Sequence, residues 1–321
     1  MYNYERCCAV HCKLSIVNYF RAMQSPHTPL QFIKEPLFAE RGVELWLKRD
    51  DLTHPHIQGN KWRKLRYNLV EARQEGLDTL LTFGGVYSNH IYATAAAGKQ
   101  FGFKTIGIIR GEPADVPTDT IQFAAQNGMR ILFMDREHYR QKDDPDNIES
   151  LHVQLGDFYM IPEGGTNIYA LPGVIEMVNE IKEDYDYICV ASGTGGTLAG
   201  VVSALYGKRK AIGFSSLKGT DTLTQSVTQL VQDYTERTFD NWHISFDYHF
   251  GGYARVKPEL IDFIKDFKLR HLTQLEPVYT GKMMYGLYDM IEKGYFPRGS
   301  RIVAVHTGGL QGLSGYREYF G

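Results

Sequence analysis

The sequence predicts an α/β protein of the doubly wound class. Short apolar runs typical of strands alternate with segments whose apolar residues recur at helical spacing, which is the pattern of parallel βαβ units. Glycine-rich turns follow several of these runs and precede helical segments. The length of 321 residues exceeds the usual size of a single hydrophobic core, so we expect two domains.

The predicted elements start with a strand at residues 43–52, which a loop containing Gly59 and Asn60 joins to a helix at residues 61–75. Alternation continues with strand 79–83, helix 89–102, strand 105–109, helix 118–127 and strand 131–134. The charged segment 136–146 predicts a surface loop or the frayed start of a helix. Further strands are predicted at residues 185–191, 211–214, 244–248 and 302–306.

Composition argues against several kinds of partner. With 35 basic and 37 acidic residues the formal net charge is −2, so no field attracts nucleic acid or an anionic membrane. No apolar run approaches the roughly 18 to 20 residues that span a bilayer, and no secretory signal is apparent. We therefore expect a cytoplasmic protein that acts on or binds a small molecule.

The chain has four cysteines, which are too few to stabilise a protein of this length by disulfide bonds, and three of them lie in the first dozen residues. Cys7, Cys8, His11 and Cys12 lack a second ligand pair at zinc-finger spacing. We therefore predict no metal site and interpret the leader as an unstructured extension in a reduced compartment.

The segment SGTGGT at residues 192–197 follows an apolar strand and precedes a helix. Backbone N–H groups converge at such a turn, and the helix N-terminus adds partial positive charge, so a phosphate fits it. Leu198 stands where a dinucleotide-binding fingerprint needs its third glycine, and a Walker A lysine is missing. The remaining alternative is a tight turn without a ligand.

The segment QGNKWRK at residues 58–64 places Lys61 at the start of a helix. The helix dipole and the nearby Arg63 and Lys64 favour the neutral amine, which is the form that attacks an aldehyde. A solvated structural lysine is the alternative, and Lys64 remains open as the reactive residue.

Two further groups carry polar side chains at predicted helix starts. In GGVYSNH, at residues 84–90, Ser88 and Asn89 are typical N-cap residues, although the same exposed amides can bind a substrate carboxylate. The segments PVYTGKM, at 277–283, and VHTGGL, at 305–310, contribute Tyr279, Thr280 and Thr307, which are polar but uncharged.

Together and in this order, the GNK, SNH, SGTGGTLAG, PVYTGK and HTGGL segments resemble the 1-aminocyclopropane-1-carboxylate deaminase and D-cysteine desulfhydrase family of pyridoxal 5'-phosphate (PLP) enzymes. The resemblance runs from about residue 37 to the C-terminus. It implies the type II, tryptophan-synthase-β-like fold, with two open twisted parallel-sheet domains. Residues 37–63 plus 171–321 would form the large PLP-binding domain and 64–170 a small inserted domain, after an extension at 1–36. A homodimer is also expected.

The resemblance also implies a set of roles. Lys61 would hold PLP as a Schiff base, Asn89 would bind its phenolic oxygen, and Tyr279 would be the active-site tyrosine. Ser88 would contact substrate and assist proton transfer, and the Ser88–His90 turn would bind the substrate. Tyr253 matches the second tyrosine less closely, because G-Y-A replaces G-Y-G. The phosphate would be bound by the amides of Gly193, Thr194, Gly195, Gly196 and Thr197.

The choice of substrate depends on Thr280, which stands where the deaminases carry a glutamate. Either Thr280 or Thr307 could face the pyridine nitrogen, and a neutral hydroxyl favours the pyridinium less than a carboxylate does. Our hypothesis is therefore elimination from D-cysteine to pyruvate, ammonia and hydrogen sulfide. The cyclopropane substrate, cysteate and β-chloro-D-alanine stay open, whereas a non-catalytic binding protein and a nicotinamide oxidoreductase are less well supported.

Overall fold

The computed structural model describes residue 23, residues 26–219 and residues 221–320. The predicted extension with Cys7, Cys8, His11 and Cys12 lies outside these residues. The described part contains ten strands: β1 Leu30–Ile33, β2 Glu44–Lys48, β3 Thr79–Gly84, β4 Lys104–Arg110, β5 Met129–Met134, β6 Tyr159–Ile161, β7 Tyr187–Ser192, β8 Lys210–Ser215, β9 Trp242–Ser245 and β10 Arg301–Val305.

The α-helices lie mostly between the strands, as the alternation predicts. They are α1 Pro36–Arg41, α2 Asn60–Gln74, α3 Asn89–Phe101, α4 Asp119–Gln126, α5 Arg136–Arg140, α6 Pro145–Leu155, α7 Leu171–Asn179, α8 Gly196–Leu205, α9 Asp221–Thr235, α10 Pro258–His271, α11 Thr280–Glu292 and α12 Arg317–Phe320.

The strands form two sheets. One has six strands in the order β1-β2-β10-β7-β8-β9, and the other has four in the order β5-β4-β3-β6. All pairings are parallel except that of β1 with β2. Two parallel sheets with intervening helices are the predicted α/β fold, which is thus confirmed.

Three segments show where the structure corrects, adds to or narrows the predictions from the sequence. Leu30–Ile33 pairs with β2, with Phe32 opposite Trp46, so these residues belong to the sheet rather than to an extension that ends at residue 36. Tyr159–Ile161 forms a strand that we did not predict, paired with β3. For the charged segment 136–146 the helical alternative holds in part, because α5 and the start of α6 lie within it, although Tyr139 is buried. The domain boundaries stay a prediction, and α2 crosses the one at residues 63 and 64.

Most strands are buried on both faces, which is usual where helices cover a parallel sheet. β7 is buried along its whole length, and its side chains divide between two apolar clusters, with Cys189 in one and Ile188 in the other. No helix in the described ranges is both long and apolar enough to cross a membrane. Those same residues contain no group of three His, Cys, Asp or Glu side chains suited to a metal ion.

Candidate active site

A cleft of about 330 Å³ lies where strands of both sheets end. Its walls are formed by the turns after β3, β6, β7 and β10, together with the start of α2. Ligands of open α/β sheets bind at the carboxyl ends of the strands for topological reasons. Every site residue predicted from the sequence lines this cleft except Thr280.

Lys61 lies in the first turn of α2, and its position depends on a glycine. Gly59 has a φ of +55°, and a Cβ there would lie 2.1 Å from the carbonyl oxygen of Thr307. The side chain of Lys61 lines the cleft, where its Nζ donates to Asn60 Oδ1 at 3.2 Å. Burial lowers its pKa to about 8, against the opposing charge of Glu276. A substantial fraction of the amine is therefore neutral near pH 7 to 8 and able to attack an aldehyde.

Lys64 lies one turn further along α2 and also lines the cleft. It is fully buried, and its Nζ donates to the carbonyl oxygen of Gly164 and, at 3.4 Å, to Thr166 Oγ1. Burial first, and then the positive charge of Lys61, hold its pKa well below the usual value. Since it has no carboxylate within ion-pair distance among the described residues, an anion in the cleft would favour its charged form.

Arg63, also in the first turns of α2, belongs to a network of buried charges that anchors this helix. Arg63 pairs with Asp50 (Nη2 to Oδ1, 2.7 Å) and with Glu180 (Nη1 to Oε1, 2.5 Å). Lys48 Nζ contacts Glu180 Oε2 at 2.6 Å. The two cations and two carboxylates compensate one another, so burying them is tolerable. Arg63 is two residues after Lys61, but its guanidinium is bound in this network, so it cannot replace Lys61 in the cleft.

The glycine-rich turn after β7 lines the cleft with residues 193–197. The N-cap of α8 is Gly195, which has no side chain to bind the free amides of the first helical turn. A Cβ on Gly196 would lie 2.8 Å from Thr166 Oγ1, so the close approach requires glycine. Uncapped amides at a helix start facing a cleft are suited to a phosphate.

The Ser88 turn behaves partly as a cap. Ser88 Oγ accepts hydrogen bonds from the amides of His90 at 3.2 Å and Ile91 at 3.3 Å. The His90 amide is thus engaged, and it would bind a substrate carboxylate only if the serine hydroxyl turned away. Asn89 is held from the other side, since its Oδ1 accepts from Gln311 Nε2 at 2.8 Å.

The His90 side chain is buried and lines the cleft. Thr82 Oγ1 donates to the carbonyl oxygen of Ile161 at 2.7 Å, so it accepts from His90 Nε2 at 2.8 Å. The proton of the neutral ring is therefore on Nε2. Burial, followed by the charges of Lys61 and Lys64, keeps the pKa of His90 well below its usual value.

Two tyrosines face each other on the opposite wall. The rings of Tyr253 and Tyr279 have centroids 6.1 Å apart and an interplanar angle of 64°. Burial, the neighbouring Tyr253 and the charge of Glu276 raise the pKa of Tyr279 well above its usual value, so its hydroxyl is a neutral proton donor. Lys282 fixes the loop that carries Tyr253, because its Nζ donates to the carbonyl oxygens of His249 at 2.9 Å and Gly252 at 2.8 Å.

Thr280 is buried below this wall and bound to a carboxylate. Its Oγ1 donates to Glu276 Oε1 at 3.1 Å. The two carboxylate oxygens of Glu276 also accept from the amides of Val278, Tyr279 and Thr280, at 2.7, 2.9 and 2.5 Å. Thr307, in contrast, lines the cleft.

Sequence reasoning missed Glu276, Arg110 and Glu163. A signal existed for Glu276, because a carboxylate shortly before a helix start is suited to accept its first amides. Arg110 is the last residue of β4, at the strand end where functional side chains gather. Glu163 follows a strand that was itself missed, so the sequence offered no signal for it.

The two parallel sheets, the cleft lysine and the glycine-rich turn define a PLP-dependent enzyme of the type II fold. Residues 24–308 match the pyridoxal-phosphate dependent enzyme family, so the chain belongs to this family and PLP is its cofactor. A putative 1-aminocyclopropane-1-carboxylate deaminase of Pyrococcus horikoshii is 32% identical over 308 residues, which cover 91% of this chain and 92% of the relative.

Two other relatives are informative. The mitochondrial bifunctional D-cysteine desulfhydrase/1-aminocyclopropane-1-carboxylate deaminase of Arabidopsis thaliana is 32% identical over 302 residues, covering 85% of this chain and 74% of the relative. A crystal structure of a 1-aminocyclopropane-1-carboxylate deaminase homologue superposes with a TM-score of 0.81 and 31% identity, covering 91% of this chain and 92% of the other. These names do not confirm that the chain is closer to the desulfhydrases.

The site fits the cofactor on structural grounds. Lys61 offers an amine with a lowered pKa, and the turn at 193–197 offers amides without a side-chain cap. Lys64 adds a buried cation without a carboxylate partner among the described residues. The aldehyde and the phosphate of PLP each require one of these features.

Proposed function

We propose that this enzyme eliminates the Cβ substituent of a small D-amino acid and that D-cysteine is its substrate. The products would be pyruvate, ammonia and hydrogen sulfide. The proposal rests on the family, on the resemblance of the site segments, and on the arrangement of one base and one acid across the cleft.

The cofactor would be held by residues from both sides of the cleft. Lys61 would bind it covalently, the amides of residues 193–197 would bind its phosphate, and Lys64 would neutralise part of the phosphate charge. Asn89 would contact its phenolic oxygen and Thr307 its ring nitrogen. When bound, PLP withdraws electrons from Cα of the substrate, which makes the Cα proton acidic.

Lys61 and Tyr279 would divide the proton transfers. Lys61 Nζ, released from the cofactor by the substrate amine, would take the Cα proton, because its lowered pKa leaves part of the amine neutral near pH 8. The Cβ–S bond would break with its electron pair on sulfur, and the Tyr279 hydroxyl would protonate the thiolate. One water molecule then completes the balance by hydrolysing the released enamine to pyruvate and ammonia.

The choice of D-cysteine as substrate rests on a single observation, which is the position of Thr280 relative to the cleft. It does not line the cleft, and Thr307, which does, is uncharged. A ring nitrogen partnered by a hydroxyl is a weaker electron sink than one partnered by a carboxylate. Loss of thiolate from D-cysteine needs less from the cofactor than opening a cyclopropane ring that has no Cα proton.

A specific observation also favours cyclopropane opening as a second candidate. The carboxylate of Glu276 accepts a hydrogen bond from the Thr280 hydroxyl, so a carboxylate lies one hydrogen bond behind the position of the deaminase glutamate. Burial raises the pKa of Glu276, and its hydrogen bonds to Thr280, Val278 and Tyr279 oppose this by favouring the charged form. Several relatives also carry the deaminase name.

The test compares three substrates on one preparation. We expect sulfide from D-cysteine, little sulfide from L-cysteine, and almost no 2-oxobutanoate from 1-aminocyclopropane-1-carboxylate. Borohydride reduction and peptide mapping should place PLP on Lys61, and Lys61→Ala should abolish turnover without unfolding the protein. A preference for the cyclopropane substrate would replace this proposal by the second candidate, and label on Lys64 would overturn the assignment of the base. The homodimer remains a prediction, which light scattering would test.

A further inference from the structure

A second cavity, of about 430 Å³, adjoins the active-site cleft. Two of its lining residues, Arg110 and Glu163, also line the cleft, so the two spaces share a wall. We call it the basic cavity, and its lining residues are Arg110, Arg136, Tyr139, Arg140, Lys142 and Glu163.

The strand register places the basic cavity at the functional edge of the small sheet. Arg110 ends β4 opposite Met134, which ends β5, and Arg136 begins α5 two residues later. On the cleft side, Arg110 Nη2 lies 3.7 Å from the position of a Cβ on Gly85, which belongs to the turn before α3. The guanidinium of Arg110 thus borders the turn that is expected to bind substrate.

The charges of the basic cavity are not balanced. Lys142 contacts Asp143 at 3.0 Å and Glu163 at 3.6 Å. Within the ranges that the structure describes, no carboxylate lies at ion-pair distance from Arg110, Arg136 or Arg140. The lining therefore carries four cations and one carboxylate, Glu163, which contacts Lys142. The three arginines are exposed, and their excess of positive charge raises the local concentration of anions.

Tyr139 adds a buried hydroxyl at the edge of this cavity, close to Glu163. The residue is buried and lines the cavity, with the guanidinium carbon of Arg110 5.6 Å from its ring centroid. Burial first, and then the nearby Glu163, raise its pKa above the usual value, so it is a neutral donor. The Glu163 side chain is its nearest polar neighbour, but no hydrogen bond of normal geometry satisfies this buried hydroxyl among the described residues. Buried polar groups without a partner are uncommon and often face a water or a ligand.

We propose that the basic cavity is an oxyanion subsite, formed chiefly by Arg110, Arg136 and Arg140 with the Tyr139 hydroxyl as an added donor. Its ligand is a carboxylate or sulfonate group, which belongs either to the side chain of an amino acid in the cleft or to a separate anion. Guanidinium groups suit such planar or tetrahedral oxyanions because they donate two parallel hydrogen bonds. The first source extends the proposed function toward acidic substrates such as cysteate and rests on it, whereas the second does not.

The experiment uses the holoenzyme at low ionic strength, where exposed charges are least screened. Calorimetry gives dissociation constants for sulfate. Rapid-mixing spectra of the bound cofactor, recorded before turnover, give apparent dissociation constants for D-cysteate and D-cysteine. The variants are Arg110→Gln and Arg136→Gln. The matched control is Arg130→Gln, because Arg130 is an exposed residue at the opposite end of β5 and loses the same charge.

We expect Arg110→Gln and Arg136→Gln to weaken sulfate binding by about threefold or more, and Arg130→Gln to leave it unchanged. If the oxyanion comes from the substrate, the affinity of D-cysteate relative to D-cysteine falls by a similar factor in Arg110→Gln, and sulfate competes with D-cysteate. If the oxyanion is a separate anion, sulfate binding weakens in Arg110→Gln and Arg136→Gln, but the affinity of D-cysteate relative to D-cysteine does not change.

The subsite is refuted if all three variants bind sulfate and D-cysteate as the wild type does, or if the control loses as much affinity as the other two. Sulfate binding does not depend on turnover. Loss of sulfate affinity in an enzyme that processes no D-amino acid would therefore support the subsite and overturn only the proposed function.

Discussion

Replacing Lys61 by methionine should stabilise the cofactor-free protein at neutral pH. Burial lowers the pKa of Lys61 from 10.5 to about 8, which means that the charged amine is less stable in the folded protein than in the unfolded chain. Since each pKa unit corresponds to about 1.36 kcal/mol, the charged amine costs at most about 3 kcal/mol of folding free energy. Lys61 borders an open cleft and water there offsets part of this cost, so we expect a gain of about 1 to 2 kcal/mol.

The pH dependence of this gain follows from the direction of the pKa change. Between about pH 8 and 10.5 the unfolded chain binds a proton at Lys61 that the folded protein has released, so the wild type becomes more stable as pH rises. The penalty is fully present below pH 8. Lys61→Met should therefore show its full advantage at pH 7 and a much smaller one at pH 9.5.

Lys282→Met is the matched control. Burial also lowers the pKa of Lys282 to about 8, but its ammonium donates to two backbone carbonyls, whereas that of Lys61 donates only to Asn60 Oδ1 among the described residues. In Lys282→Met both backbone carbonyls lose their hydrogen-bond donor. We expect this loss to exceed the gain from removing a buried charge, so the variant should be destabilised by about 1 kcal/mol. Urea unfolding of both variants, after PLP removal with hydroxylamine, measures the two free energies. Equal signs for the two variants, or an advantage of Lys61→Met that does not change with pH, would refute the reasoning.

Three other substitutions test the supports of the site. Gly195→Val should lower PLP occupancy, measured by absorbance, because φ is +86° and a Cβ would lie 2.8 Å from Val227 Cγ2. Glu276→Gln should cost about 1 to 3 kcal/mol in urea unfolding, because an amide nitrogen would face backbone donors such as the Val278 N–H. Arg63→Met should cost about 3 to 5 kcal/mol in the same assay, because it leaves two buried carboxylates short of their partner.

The parts of the fold that the sequence predicted are those with a local cause. The run before Ser192 is apolar throughout and ends in a glycine-rich turn, and it forms a fully buried strand. In contrast, Leu30–Ile33 has only four residues and pairs antiparallel at a sheet edge. Its partner β2 begins 11 residues after it ends, with a helix between them, so nothing in its own composition indicates the pairing.

The sequence named residues that line one cleft, Thr280 excepted, but it could not predict the surroundings of each of them. Lys61 and Lys64 are both basic residues at the start of one helix, and the sequence left both open. The structure separates them by their surroundings, because Lys64 is bound to Gly164 and Thr166, which follow a short strand more than 90 residues away. Such contacts depend on how the small sheet is placed against α2, which no local pattern encodes.

Thr280 shows how far a single residue exchange can be interpreted. Taken alone, a threonine in place of a glutamate removes a negative charge beside the cofactor. The structure returns that charge from Glu276, four residues earlier, through the Thr280 hydroxyl. Both a deaminase site and this site would then contain a carboxylate, and they would differ in how far it lies from the pyridine nitrogen. The distance matters because the strength of a charge interaction falls with separation. For this reason the ratio of D-cysteine to cyclopropane turnover should respond to Glu276→Gln as well as to changes at residue 280, and a ratio unaffected by Glu276→Gln would show that the carboxylate serves only to cap the helix.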